Sequence, residues 1–217
     1  MANIKPIPAA KALLRLEQGN RRFVKNRRTG LLGVHRDLRK LMIKSRGPFA
    51  IILSCSDSRA PSEILFDQGL GDLFVIRVAG NVIAPSLIGS VEFAAATTLA
   101  RLVVVMGHTQ CGAIQATFDA IEGKKPILSD NIHDIVDRIR PNIDRIVTRR
   151  KKSTREKTLR EAMRANVLAS ANHLRHASRF LEDMVHHKEL MIVGAEYDIE
   201  SGVVDFFDRP KPQKSKK

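Results

Sequence analysis

At 217 residues, 43% of them hydrophobic, the chain is long enough to bury one substantial core and too short to argue for several domains. Its 37 Lys and Arg against 23 Asp and Glu leave a formal charge of +14, which raises the question of anionic partners. With one tyrosine and no tryptophan, stacking surfaces for single-stranded nucleic acid are scarce, and specific nucleic-acid binding is not expected. No apolar run approaches the ~20 residues needed to span a bilayer, and Met1 to Pro6 does not read as a signal peptide, so a soluble cytoplasmic protein is the expectation.

In chain order, residues 8 to 27 carry Leu13, Leu14, Leu16, Phe23 and Val24 among Lys and Arg, an amphipathic helix weakened by Gly19 that could fold back on its own domain or pack on a partner subunit. His35 to Ser45 reads as a second short helix, ended by Gly47-Pro48. Phe49 to Ser54 is apolar throughout, as a central parallel strand buried on both faces requires. Pro61-Ser62-Glu63 suits a first helical turn. Asp72 to Val78 reads as a second strand, Ser86 to Ala100 as a helix, Leu102 to Met106 as a third strand, and Cys111 onward as another helix. The stripe from Ile132 to Val147 is helical, with Pro141 expected to break or kink it. Leu159, Met163, Val167, Leu174, Leu181 and Val185 mark a long helix of about seven turns. Leu190 to Gly194 is a fourth strand, and Val203 to Phe207 an antiparallel edge strand after the Ser201-Gly202 turn. The pattern predicts one α/β domain over residues 1–208: a mostly parallel sheet flanked by helices, with a helical arm at 1–45. Much of the excess positive charge lies between Arg145 and Arg164 and in the tail 209–217, read as a solvated connector and a disordered basic tail.

Two stretches carry the chemistry. The run Ile51-Ile52-Leu53-Ser54 delivers Cys55, Asp57 and Arg59 into the turn that follows it. Leu102 to Met106 likewise delivers Gly107-His108-Thr109-Gln110-Cys111-Gly112. In open parallel sheets ligands gather at the carboxyl ends of strands where the winding reverses, and both clusters fall at such ends. A disulfide is disfavoured in a reducing compartment, and a thiol redox role lacks a Cys-x-x-Cys pair. Zinc prefers Cys sulfur and His nitrogen, and a catalytic site typically uses three protein ligands and leaves the fourth position to water. Cys55, His108 and Cys111 are such a set, with Asp57 able to close it as a fourth ligand. Arg59 gripping Asp57 bidentately would hold the carboxylate off the metal, giving an open site, whereas Asp57 on the metal would give a blocked one.

At these residues the sequence resembles the β-class carbonic anhydrases, whose signature is Cys-x-Asp-x-Arg followed some fifty residues later by His-x-x-Cys. The similarity extends through Phe66 to Phe74, Arg77-Val78-Ala79-Gly80-Asn81 and Val193 to Asp198. It implies a zinc enzyme that reversibly hydrates carbon dioxide to bicarbonate and a proton by metal-bound hydroxide, and a homodimer or homotetramer whose N-terminal arm embraces a partner. It also implies that Phe74 and Ala79 line a small apolar substrate pocket. Arg46 stands where the family commonly has a substrate-binding glutamine, and is the third substrate-binding candidate. A regulatory bicarbonate site built on tryptophan is not expected in a chain without one. Two thiolates make a zinc-bound water less acidic than three imidazoles do, so hydration is expected to rise on the alkaline side of ~7. The nearest alternative is a related zinc hydrolase for carbonyl sulfide or carbon disulfide. A more distant one is a non-catalytic, zinc-stabilised binding protein.

Overall fold

The computed structural model describes residues 5–28, 47–124, 126–150 and 153–210. Five strands form one sheet: β1 (Ala50–Ser54), β2 (Leu73–Arg77), β3 (Leu102–His108), β4 (Met191–Tyr197) and β5 (Val204–Asp208). Their order is β2-β1-β3-β4-β5, with β1, β2, β3 and β4 parallel and β5 antiparallel to β4. The predicted edge strand is therefore present, and the α/β architecture is the one expected.

The sheet separates two cores, and strand alternation decides which residue enters which. Ile51, Leu53, Val103 and Val105 face one core; Ala50, Ile52, Leu102, Val104 and Met106 face the other. Apolar residues on both faces explain why β1 and β3 read as unbroken hydrophobic runs. The helices are α1 (Ala9–Val24), α2 (Ser62–Leu65), α3 (Pro85–Thr97), α4 (Gly112–Ile121), α5 (Asp130–Thr148), α6 (Arg155–Arg175) and α7 (Arg179–His186). Helix α1 folds back on its own sheet through Ala12, Leu13 and Leu16. Buried Asn20 fastens it, donating to the carbonyls of Leu65 and Gly202 and accepting from the Val204 amide.

One expectation is corrected, and one is narrowed. The long helix toward Val185 is interrupted between His176 and Ser178. Ser178 caps the new helix by accepting the Leu181 amide at 3.3 Å, while the leucine stripe continues across the break. Of the two effects expected of Pro141, a break does not occur: α5 runs through it as one element. The helix expected over His35 to Ser45, the candidate Arg46 and the tail from residue 211 lie outside the described residues.

The parallel strands place the two motifs side by side. Chain order runs outward from β1 to β2 on one side and from β1 across to β3 on the other, so the winding reverses between β1 and β3. Ser54 is level with Met106, and β3 runs two residues further, to His108. Cys55 and His108 therefore emerge from adjacent strand ends.

Candidate metal centre

Cys55, His108 and Cys111 are all buried, and one ligating atom from each lies within 4.8 Å of the others. The sulfurs are 3.9 Å apart, too far for a disulfide at ~2.05 Å. Two thiolates ~2.3 Å from one tetrahedral ion would stand about 3.8 Å apart, so the pair fits a shared zinc. His108 supplies an independent test. Its Nδ1 donates to the Thr109 carbonyl at 2.8 Å, which leaves the lone pair on Nε2. That Nε2 is buried and has no hydrogen-bond partner, the state of a nitrogen aimed at a cation. The residues present fit zinc.

The thiols share a proton. Cys55 is drawn down to about 4, chiefly by the hydrogen bond with the Cys111 thiol and against the effect of burial; His108 and the Gly80 amide pull the same way. Cys111 is pushed up, first by that same bond and then by burial. The bond between the sulfurs thus favours one proton held by the pair.

The turn after β1 sets the acid. Asp57 Oδ1 accepts from the Arg59 amide at 2.9 Å and from Arg59 Nε at 3.0 Å, and Oδ2 accepts from Nη2 at 2.8 Å. The guanidinium holds the Asp57 carboxyl well below the usual carboxylate range, principally through these hydrogen bonds. Arg77 fixes the same turn from β2, donating to the carbonyls of Cys55 at 3.1 Å and Asp57 at 2.5 Å. Asp57 Oδ2 stands 3.9 Å from His108 Nε2, beside the ligands and bonded to Arg59.

Of the apolar pocket candidates, Ala79 directly precedes Gly80, whose N–H lies 3.4 Å from Cys55 Sγ. Phe74 is on β2 level with Ile51, packed at the margin of the first core. Neither lines the cavity of about 120 Å³ that touches His108 and Cys111, which is walled by Ile114, Leu159, Met163 and Arg160 among others. Three contributors escaped the reading of the motifs. Gly80 acts through a backbone amide, which every non-proline residue owns. Gln110, in the left-handed region at φ 58°, accepts from Arg59 Nη1 at 3.5 Å and donates to Glu200. Arg77 opens the Arg77-to-Asn81 stretch, and its charge four residues before the Asn81 turn was the available signal.

The chain matches a family profile described as carbonic anhydrase over residues 50–204. It is 36% identical to carbonic anhydrase 2 of Mycobacterium tuberculosis over 203 residues, 93% of each chain. The β-carbonic anhydrase CcaA structure superposes with a TM-score of 0.69 at 25% identity, covering 89% of this chain and 93% of that one. A structure from Sordaria macrospora, described as a tetrameric β-carbonic anhydrase, shares the fold at TM-score 0.68 and 18% identity, over 80% and 87% of the two chains.

Proposed function

The chain belongs to the β-class carbonic anhydrase family, and from that premise we propose how its own residues carry out the zinc-dependent, reversible hydration of carbon dioxide. The observation that carries the proposal is the buried Cys55–His108–Cys111 cluster with its unpartnered imidazole nitrogen. When bound, zinc supplies a Lewis acid that makes a water nucleophilic near neutral pH. Cys55, His108 and Cys111 would hold it, and the Thr109 carbonyl keeps His108 in the tautomer that presents Nε2. Asp57, ionised and oriented by Arg59, accepts a hydrogen bond from the nucleophile and turns its lone pair toward the substrate. That both carboxylate oxygens accept from Arg59 supports the open arrangement, with Asp57 on the metal as the blocked alternative. Phe74, Ala79 and Arg46 remain the proposed substrate contacts.

A second copy of the chain is proposed as its partner. What supports it is that the Sordaria neighbour is described as tetrameric. No described helix is long and apolar enough to cross a membrane, and a cytoplasmic location is proposed. Carbonyl sulfide or carbon disulfide hydrolysis is not favoured, since the family and the relatives named here are carbonic anhydrases.

The test is metal analysis together with a stopped-flow carbon dioxide assay on wild type and Cys111→Ala. One equivalent of zinc per chain, with activity rising from about pH 6 toward about pH 9, is expected, and both zinc and activity fall away in the variant. Folded wild-type protein that takes up no zinc would sink the proposal.

A further inference from the structure

A chain of side-chain amides runs from α5 through α6 to the turn that touches Cys55. Asn142 Nδ2 donates to the Arg138 carbonyl at 3.2 Å and to Asn166 Oδ1 at 3.0 Å. Asn166, 1% exposed on α6, donates from Nδ2 to the Gly80 carbonyl at 2.8 Å. The Gly80 N–H then lies 3.4 Å from Cys55 Sγ. One turn further along α6, Ser170 Oγ donates to the Asn81 carbonyl at 3.2 Å. The two amides orient each other: with Asn142 Nδ2 facing two acceptors, Asn166 must present its oxygen to Asn142 and its NH₂ to Gly80.

The tether matters because of what it holds. Gly80 sits at φ 65°, where glycine has wide backbone freedom, so the residue's own preferences do not pin its peptides. A Cβ is no remedy, since it would meet Ile139 Cδ1 at 2.7 Å and Ala113 Cβ at 2.9 Å. The position requires glycine, and its conformation has to be imposed from outside.

We propose that Asn166, oriented by Asn142, is a positioning residue for the metal centre: by holding the Gly80 carbonyl it keeps the Gly80 N–H on the Cys55 sulfur. A thiolate that accepts an N–H bond gives less electron density to its cation, so the relay partly offsets the electron-rich two-sulfur ligand set and leaves the cation a stronger Lewis acid. The inference rests on the metal-centre reading above and extends it to residues that touch neither metal nor substrate.

The test uses the cobalt(II)-substituted protein as wild type, Asn166→Asp, Asn142→Ala and Ser170→Ala. Asn166→Asp keeps the shape and the acceptor for Asn142 but sets an oxygen against the Gly80 carbonyl. In it the sulfur-to-cobalt charge-transfer band is expected to move to lower energy, and kcat in the zinc form to fall about tenfold with KM little changed. Ser170→Ala, which frees only the Asn81 carbonyl, leaves the band in place. Where Asn166→Asp does not fold by circular dichroism, half-buried Asn142→Ala carries the test, with a smaller shift in the same direction. A band at the wild-type position in a folded, cobalt-loaded variant overturns the relay, as does an equal shift in Ser170→Ala. Wild-type protein that binds no cobalt overturns the metal centre itself.

Discussion

Arg59 and Asp57 form a pair whose value lies in direction. Three hydrogen bonds from one residue leave the carboxylate a single orientation, which a lysine cannot reproduce because its ammonium is a point donor on a flexible stem. Arg59→Lys is therefore expected to lower kcat/KM by about ten- to a hundredfold while zinc content, measured by plasma mass spectrometry, stays at wild-type level. The cysteines make a prediction about pH. The hydrogen bond between the two thiols lowers Cys55 and raises Cys111, so the pair favours keeping one proton, which zinc must displace. Binding releases that proton, so raising the pH favours it. Zinc affinity, read by competition with a chelator, should strengthen by about tenfold per pH unit between roughly pH 7 and 8.5. A flat dependence would mean that both thiols ionise before the metal arrives.

Elements hold the site through close contact. Helix α6 packs directly on the end of β3, where Gly107 offers no side chain: a Cβ there would lie 2.6 Å from both Met163 Sδ and Val167 Cγ2. Gly107→Ala must push α6 away from the strand that carries His108, and is expected to destabilise the protein by about 1–3 kcal/mol in denaturant unfolding. Because α6 also carries Asn166, metal affinity should fall in the same variant. Helix α1 depends on one polar side chain. Asn20→Ala would strip partners from the buried Leu65 and Gly202 carbonyls and the Val204 amide, an expected loss of about 1–3 kcal/mol, seen as a lower thermal midpoint with zinc binding retained.

At the scale of the whole molecule, the topology joins distant parts of the chain. Cys55 and His108 approach each other because β1 and β3 are hydrogen-bonded neighbours at the point where the winding reverses. The proposed second copy predicts that light scattering will report a multiple of the chain mass; a monomer at micromolar concentration would contradict it. Much of this was legible beforehand. Sulfur and imidazole are rare side chains with narrow chemistry, so finding both at strand ends restricts the possibilities sharply. Buried parallel strands are equally plain, since apolar residues on both faces leave an unbroken hydrophobic run. The interruption at Ser178 was not legible, because Leu174 and Leu181 keep the helical stripe going while one serine hydroxyl starts a new helix. By itself the amino-acid order determined the candidate ligand types, their place at strand ends and the acid–guanidinium pair, because these reside in side-chain chemistry and local spacing. The 3.9 Å sulfur separation, the tautomer of His108 and the amide relay through Asn166 were decided only by tertiary structure, because each depends on backbone groups that every residue shares and on segments that meet only once the sheet has formed.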